Sequence, residues 1–156
     1  MLLAEGVCDP GRNGRAIQNV IQIEPDDAVR AYINVRRLDD REYVTSNYII
    51  MCTKAGIVKK TLLEAYSRPR QNGVNAITIK EGDQLIEAKL TSGDSEVLLA
   101  AKEGKAIRFN EKAVRPIGRT GAGVKGITID GDDEVVGMIC VEKDRKEDIL
   151  VVSEHG

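Results

Sequence analysis

The sequence predicts an all-β protein built from four-stranded units that repeat about every 50 residues, like the blades of a disc. Turns centred on Gly56, Gly104 and Gly156 fall 48 and 52 residues apart, and Ile77 and Ile127 lie 50 residues apart. Short alternating or apolar runs separate these turns, and no long window carries a helical apolar stripe. A period near 50 with four short strands per unit is typical of a bladed β architecture.

Local patterns predict the strands in order along the chain. Ala28–Leu38 alternates apolar and polar residues, as a half-buried strand does, whereas Tyr48–Thr53 is a continuous apolar run short enough for a buried strand. Asp39–Ser46 between them is polar and is predicted to be a loop, and Leu62–Tyr66 could form one helical turn. Flanking turns and similar patterns predict further strands at Ile17–Ile23, Ile57–Thr61, Val74–Ile79, Leu85–Thr91, Glu96–Ala101, Lys105–Phe109, Val124–Ile129, Val135–Val141 and Ile149–Ser153.

The order of strands and turns divides the chain into units. Residues 48–95 and 96–148 each hold a hairpin, a basic loop and two further strands, so each is predicted to be a blade. Residues 1–47 are predicted to be a partial blade with an irregular N-terminal arm, and residues 149–156 the first strand of the next blade. Because two or three blades cannot close a ring, we expect an incomplete ring: a fragment of a longer domain, or one whose ends meet partners.

Positive and negative charges are segregated along the chain, although the net charge is only -2. Residues 54–74 carry five Lys or Arg against one Glu, and residues 102–125 carry seven against two, which leaves -11 for the remainder. A partner responds to the local field within a Debye length of about 8–10 Å. Without Trp and with one Phe, the chain has little surface for stacking bases, so a nucleic-acid partner would be held by its phosphates.

Cysteine usage and hydropathy bound the cellular setting. Three cysteines cannot form a full disulfide set, and Cys52 and Cys140 lie in apolar runs typical of core positions. No apolar run approaches the roughly 18 residues that a membrane span needs, and the first residues lack the pattern of a signal peptide. We expect a reduced, cytoplasmic setting and no membrane partner.

The same basic loop is written twice, as A-Y-S-R-P-R-Q-N-G-V-N-A-I-T-I over Ala65–Ile79 and as A-V-R-P-I-G-R-T-G-A-G-V-K-G-I-T-I over Ala113–Ile129. Duplex DNA carries about one charge per 1.7 Å of axis, and the arginine fork suits phosphate. One such loop would most simply be a solvated surface, but its repetition favours phosphate binding from one curved edge. The predicted DNA-binding residues are Arg68, Arg70, Arg115, Arg119 and Lys125, with Lys59, Lys60, Lys105 and Arg108 on the adjoining strands.

The glycines of the second loop match two nucleotide motifs only in part. Gly121–Gly126 fits G-x-G-x-x-G, but that fingerprint follows a strand and opens a helix, whereas here it opens a strand. Gly118 to Gly123 has the P-loop spacing, but Val124 stands where lysine is required. The glycines more simply permit a positive φ and a close backbone approach, either to the next blade or to a phosphate.

Other clusters do not predict catalysis or a metal site. Asp130–Glu134 could hold a hard cation, but it departs from the EF-hand order and a hairpin turn explains it better. His155 is the only histidine, and the cysteines lack metal-ligand spacing. Tyr48 and Tyr66 lack the neighbouring charges of a strand-cleaving tyrosine, so we interpret them as packing residues. We expect no catalytic residue and no metal site here.

The repeated units resemble the C-terminal domain found in the A subunit of DNA gyrase. Y-I-I-M-C-T-K-A-G-I-V-K-K-T-L-L-E-A-Y-S-R-P-R-Q-N-G-V-N-A-I, the second basic loop and G-R-A-I-Q-N-V-I carry the resemblance, which covers about residues 14–156. It implies a β-pinwheel whose blades exchange a strand with their neighbours and whose basic rim wraps duplex DNA. The family's breakage-reunion region with its catalytic tyrosine is not in this chain, nor is the glutamine-arginine-glycine-rich box that separates gyrase from topoisomerase IV.

The resemblance also implies a working context. The holoenzyme is an ATP-dependent type II topoisomerase that introduces negative supercoils together with its B subunit, the ATPase, in the bacterial cytoplasm at the nucleoid. We expect no cofactor in this segment, since ATP and Mg²⁺ would serve the rest of the holoenzyme. Alternatives from the sequence are the corresponding domain of topoisomerase IV, a propeller-type module that binds an acidic protein, and a nucleotide-binding enzyme.

Overall fold

A computed structural model describes residues 28–70 and 73–152 and shows an all-β chain with short helical turns. The described elements are α1 (Arg41–Ser46), β1 (Tyr48–Thr53), β2 (Ile57–Leu62), a 3-10 helix (Leu63–Tyr66), β3 (Leu85–Thr91), β4 (Ser95–Ala101), β5 (Ala106–Asn110), a second 3-10 helix (Glu111–Ala113), β6 (Val124–Lys125) and β7 (Val135–Glu142). The strands form two antiparallel sheets. The predicted fold class is confirmed.

The first sheet has the strand order β3-β1-β2-β6. Strands β1 and β2 form a hairpin with Ile50 opposite Lys60. Strand β6 lies more than 60 residues further along the chain, in the second basic loop, and pairs with β2 through Val124 opposite Val58. A strand of the second unit therefore completes the sheet of the first, which is the exchange that the resemblance implies.

The second sheet has the order β5-β4-β7 and repeats the geometry of the first. Leu98 lies opposite Arg108 on one side and Ile139 on the other. In both sheets the register of the central strand shifts at the same point, between Cys52 and Thr53 in the first and between Ala100 and Ala101 in the second. Positions 48 residues apart in the two hairpins are thus structurally equivalent.

Apolar side chains fill the space on both faces of the first sheet. The cluster between the two sheets consists of Ile50, Cys52, Val58, Val97, Leu99, Val114, Ile127, Val135 and Met138. The cluster on the opposite face of the first sheet consists of Leu38, Val44, Ile49, Met51, Leu63, Tyr66, Ala76 and Ala88. Burial of this apolar area is the main stabilising term of the fold.

The far face of the second sheet is less covered. Leu98 is half-buried there and Ile139 is 36% exposed. A cavity of about 370 Å³ lies between this face and the chain that follows β7, with Leu98, Val141 and Ile149 in its lining. The second sheet therefore presents a loosely covered face where the first presents a packed one.

The glycines of the second loop bring that loop against the first sheet. Gly123 has a φ of 85°, and a Cβ placed there would lie 2.6 Å from the carbonyl oxygen of Val58. A Cβ at Gly126 would lie 2.4 Å from the Val58 side chain. Of the two roles left open for these glycines, the structure shows the close approach to the neighbouring sheet.

The prediction of a loop over Asp39–Ser46 is wrong, because Arg41–Ser46 forms α1. The Asp40 carboxylate accepts a hydrogen bond from the backbone N–H of Tyr43 at 3.1 Å and caps the helix, while Val44 is buried. Six residues are too few to show a helical stripe in the sequence. The turn predicted within Leu62–Tyr66 is confirmed by the 3-10 helix Leu63–Tyr66.

Three predicted strands that precede β7 are absent or shorter in the described part of the chain. Ala28–Leu38 and Val74–Ile79 join neither sheet, although residues of both pack against the second apolar cluster. The strand predicted over Val124–Ile129 is reduced to Val124–Lys125, because the N–H groups of Gly126 and Ile127 both donate to the Gly56 carbonyl instead of continuing the ladder. Alternation alone predicted the side-chain directions but not the pairing.

The remaining strand predictions divide at the chain's described limits. Residues 149–152 are exposed and outside both sheets, so the strand predicted from Ile149 is not formed by them, and Ser153 lies outside the described residues. Ile17–Ile23 and residues 1–14 also lie outside them. The division into blades at 48–95 and 96–148 stays a prediction. No helix among the described residues is long and apolar enough to cross a membrane.

Candidate nucleic-acid interface

The first basic loop leaves β2 through the 3-10 helix Leu63–Tyr66 and presents two arginines. Tyr66 is buried, and its hydroxyl donates to the Ala76 carbonyl at 3.1 Å, which holds the two ends of the loop together. The N–H of Gly73 donates to the Arg70 carbonyl at 2.8 Å. Arg68 and Arg70 are exposed.

The second basic loop is fixed to the first sheet rather than to its own. The N–H of Ile117 donates to the Lys60 carbonyl at 2.9 Å, and the N–H of Gly121 donates to the Gly118 carbonyl at 3.0 Å. Arg115 is exposed and Arg119 is half-buried. The loop therefore lies along β2, beside the first loop.

The two loops are joined by a direct hydrogen bond and by a lysine of β2 that bonds to both. The Thr78 hydroxyl donates to the Thr120 carbonyl at 2.9 Å. The Lys59 ammonium donates to the Ala76 carbonyl at 2.8 Å and also to the Arg119 carbonyl. Segments far apart in the sequence thus form one continuous surface.

Five of the nine predicted DNA-binding side chains reach the surface and have no acidic partner among residues 28–70 and 73–152. They are Arg68, Arg70, Arg115, Arg119 and Lys125, and no described carboxylate lies within ion-pair distance of them. Four of them are exposed and Arg119 is half-buried. Cations without carboxylate partners on adjoining loops create a local positive field that suits an anionic partner.

The structure contradicts the predicted contact of Lys59 with DNA. Its side chain is fully buried, and its ammonium donates to main-chain carbonyls. Burial, together with the nearby Arg119 charge, lowers the pKa of Lys59 to about 8. Lys59 was predicted to bind DNA because its strand adjoins the basic loops, but residues that follow in the sequence cover both faces of β2.

Lys60 is also buried, so its predicted contact with DNA is wrong. Its ammonium lies 2.9 Å from Oε2 of Glu111 and 4.4 Å from the centre of the Tyr48 ring. The Glu111 carboxylate also accepts hydrogen bonds from the Thr91 hydroxyl at 2.8 Å and the Ser95 N–H at 2.7 Å. Burial alone would raise the pKa of Glu111, but its bonds with Lys60, Ser95 and Thr91 outweigh it and lower that pKa.

Lys105 and Arg108 are exposed but paired. Lys105 lies 3.0 Å from Asp130, and Arg108 lies 3.0 Å from Glu96. Both belong to the hairpin of the second sheet, away from β2. Their charge is partly neutralised, so they contribute less to the positive field than the five loop cations.

Sequence reasoning missed Glu111, which links β2 of the first sheet to the connection between β3 and β4. A signal was present: Glu111 is one of two acidic residues in a basic stretch, and it stands where the first unit has the buried Leu63, 48 residues earlier. A polar residue at a core position indicates a buried partner. Lys60 is that partner.

The acidic run Asp130–Glu134 forms a turn, in which the N–H of Asp133 donates to the Asp130 carbonyl at 3.2 Å. It is not the hairpin turn that the sequence favoured, because β6 and β7 on either side of it belong to different sheets. Asp133 Oδ1 accepts from the N–H groups of Glu103 at 3.0 Å and Glu134 at 2.8 Å. Asp83 does the same in the first unit, with Ala55 at 2.9 Å and Gln84 at 2.8 Å. Each aspartate ties the hairpin turn of its unit to the start of the last strand.

These features define a class: a bladed β domain in which a neighbouring unit supplies a strand and two basic loops lie side by side. The family model for the DNA gyrase C-terminal domain, described as a beta-propeller, matches residues 47–92 and 95–142. These residues make up more than half of the chain, and the chain belongs to this family.

Curated relatives are named as the A subunit of DNA gyrase. The chain is 40% identical over 143 residues to that of Staphylococcus epidermidis (strain ATCC 12228 / FDA PCI 1200) and 38% identical to that of Staphylococcus aureus (strain NCTC 8325 / PS 47). Each match covers 92% of this chain and 16% of the relative. The chain therefore spans about a sixth of the length of these relatives.

Solved structures support the same fold. The crystal structure of the C-terminal domain of DNA topoisomerase IV matches with a TM-score of 0.73 and 30% identity, covering 83% of this chain and 39% of that one. A structure of the DNA gyrase A C-terminal domain matches with a TM-score of 0.68 and 21% identity, covering 81% and 40%. At that identity the second match supports the fold alone.

Proposed function

We propose that this chain is a duplex-DNA-binding module that bends DNA along its basic loops as part of a gyrase-type topoisomerase. One observation carries the proposal. Two loops from successive units lie against each other and display Arg68, Arg70, Arg115, Arg119 and Lys125 with no carboxylate partner in the described part of the chain. Several cations on one surface match the spaced phosphates of a duplex.

The contacts we propose are to phosphates rather than to bases. The chain has no Trp, and its one Phe, Phe109, is half-buried in the second sheet. Arginine binds phosphate through two parallel N–H groups, and such contacts position a protein without reading sequence. Binding is therefore expected to be tolerant of DNA sequence.

Lys105 and Arg108 take a secondary place in this proposal. Each is exposed, but each would have to leave a carboxylate to meet a phosphate. Lys59 and Lys60 are removed from the set because both are buried. The revised interface follows β2 and the two loops rather than the whole edge of both sheets.

The parent protein would supply the rest of the reaction. By analogy with the relatives, we propose that the parent is a gyrase A subunit that works with the ATPase B subunit to introduce negative supercoils in a bacterial cytoplasm. ATP and Mg²⁺ would act outside this segment, and its freedom from cofactors stays a prediction. The curated relatives at 38–40% identity are named as A subunits of DNA gyrase, which favours the gyrase class.

Fluorescence anisotropy with a random 20-base-pair duplex tests the proposal. With about five phosphates neutralised, log K should fall against log[salt] with a slope of about -4 to -5. The Arg70→Glu/Arg119→Glu double variant should lose most of the binding while keeping its thermal unfolding transition. Arg41→Glu/Lys146→Glu removes the same charge from exposed positions outside the loops and is the matched control.

Three outcomes would contradict the proposal. They are equal binding by the two double variants, a flat salt dependence, and no competition by random duplex. The last result combined with binding to an acidic protein would favour the protein-interaction alternative. Bending a 20–30 base-pair site costs on the order of several kcal/mol, so the affinity for the 20-base-pair probe reports the phosphate contacts less the cost of any bending.

A further inference from the structure

Lys59 is a buried cation whose partners are main-chain carbonyls of both basic loops. Its side chain is fully buried beneath them. The ammonium donates to the Ala76 carbonyl of the first loop at 2.8 Å and to the Arg119 carbonyl of the second. No carboxylate in residues 28–70 or 73–152 lies within ion-pair distance of it.

This arrangement is costly in a way that packing alone does not explain. An ammonium loses hydration when it is buried, and an apolar side chain at the same place would avoid that loss. The equivalent position in the second sheet, 48 residues later, is Ile107, which is 38% exposed, so the unit itself does not require a buried lysine there. A lysine in β2 is suited to a different task, because its three N–H donors can satisfy carbonyls from separate segments at once.

The carbonyl that Lys59 holds in the second loop belongs to Arg119 itself. Fixing that carbonyl fixes the backbone from which the guanidinium projects. In the first loop, the Ala76 carbonyl also accepts from the Tyr66 hydroxyl, so Lys59 and Tyr66 converge on one oxygen. The Thr78 hydroxyl makes a second bond across the loops, to Thr120.

We propose that Lys59 is a positioning residue that holds the two basic loops at a fixed separation so that their arginines contact one duplex together. The inference rests on the proposed function for its DNA half, whereas the joining of the loops can be tested without DNA. Preorganisation would raise affinity because the free protein no longer loses loop freedom on binding. The buried lysine itself does not contact a phosphate.

Amide hydrogen exchange on the 156-residue chain tests the joining of the loops. Lys59→Met keeps the side-chain length and removes the donors. Exchange should become at least about fivefold faster in both 73–79 and 117–121, because loss of one latch frees both loops. Lys89→Met, on the partly exposed Lys89 of β3, is the control and should leave both loops unchanged. Faster exchange in one loop only, or in neither, would contradict the proposal that Lys59 joins the two loops.

A double-mutant cycle on DNA affinity tests the positioning. Lys59→Met should weaken binding to the 20-base-pair duplex by about tenfold, although no exposed charge is lost. Arg119→Met should weaken binding of the unaltered chain more than it weakens binding of Lys59→Met, with a coupling of about fivefold. Additive losses, which a purely structural lysine would give, would overturn the inference.

Thr78→Val tests whether joined loops bind DNA better, even if Lys59→Met does not fold. Thr78 is exposed, so its loss should leave the fold intact while removing the other bond between the loops. We expect about threefold weaker DNA binding and faster exchange in both loops. If the unaltered chain binds no duplex, the proposed function fails, and hydrogen exchange still decides whether Lys59 joins the loops.

Discussion

The two sheets are copies of one unit, yet they differ in how much of each is covered. In the first sheet, five of the six residues of β1 are buried and β6 adds a fourth strand. In the second, β4 alternates between buried and half-buried residues in a sheet of three strands. The difference arises from the neighbours that pack on each sheet, since the hairpins share the same register.

The same contrast changes what a charged residue does. Lys60 and Arg108 occupy equivalent positions opposite Ile50 and Leu98. Lys60 lies under the second loop and pairs with a buried carboxylate, whereas Arg108 is exposed and pairs with Glu96 at the surface. A basic residue in this unit becomes structural or solvent-facing according to the neighbouring segments.

The largest effect on stability is expected from removing the buried cation Lys60 of the first sheet. Lys60→Met leaves Glu111 buried without its counter-charge and should lower the free energy of unfolding by about 4 kcal/mol, measured by urea denaturation. Arg108→Met, the matched change on the open sheet, should have a small effect because solvent screens that pair.

A rescue separates the charge from the packing in this prediction. Adding Glu111→Gln to Lys60→Met removes the stranded charge and keeps an oxygen acceptor for the Ser95 N–H. The amide NH2 then takes the place of Oε2, and the Thr91 hydroxyl can turn to accept from it. The double variant should recover a large part of the lost stability. Equal losses for Lys60→Met and Arg108→Met would show that the two sheets do not differ as described.

A pair of apolar truncations tests coverage directly. Ile50→Ala should cost about 3 kcal/mol because Ile50 is fully buried between the sheets. Leu98→Ala at the equivalent place should cost roughly 1 kcal/mol or less, since Leu98 is half-buried beside the cavity. Met51→Ala and Leu99→Ala, both fully buried, should cost similar amounts and serve as the control pair. Equal costs at Ile50 and Leu98 would contradict the comparison.

Sequence patterns predicted the strands of the two hairpins but not what packs around them, and they also predicted strands over Ala28–Leu38 and Val74–Ile79 that do not form. Tyr48–Thr53 was predicted with its observed bounds because a short apolar run between turns has few other interpretations. The loop arginines were predicted to be exposed, and Arg68, Arg70 and Arg115 are. The burial of Lys59 could not be predicted, because the carbonyls that satisfy it come from residues 76 and 119.

Lys59 should give the first sheet a pH dependence that the second lacks. Burial places its folded pKa at about 8, below the ordinary lysine value of 10.5, so the unfolded chain binds the extra proton between those values. Stability relative to Lys59→Met should therefore rise as the pH increases from 8 to 10.5, by on the order of 3 kcal/mol. Denaturation of both chains across this range measures it.

Other groups that titrate at alkaline pH contribute equally to the stability of the unaltered chain and of Lys59→Met, so their effect cancels in the difference. Burial raises the pKa of Cys52 and Cys140 to about 12, and both variants share that effect, which lowers stability as the pH rises above 9. Only the difference between the two chains reports Lys59. Parallel stability curves would show that its ammonium is not penalised by burial.

A more moderate effect is expected where the second loop meets β2. Gly123→Ala should cost about 2 kcal/mol, because φ is positive there and the new Cβ would meet the Val58 carbonyl. Gly118→Ala in the same loop should be near neutral, since a Cβ there has open space. Thermal unfolding measures both. A neutral Gly123→Ala would indicate that β6 does not hold to β2.

The aspartate before the last strand of each unit allows the length of the repeat to vary. Asp83 reaches an N–H 28 residues earlier and Asp133 one 30 residues earlier, so two additional residues are accommodated with the same bond. The entropic difference between such closures is below about 0.1 kcal/mol. Residues between the aspartate and its N–H partner can therefore be inserted, deleted or changed in charge while the hydrogen bond that closes the unit is kept. Affinity for an anionic partner can then be adjusted one repeat at a time.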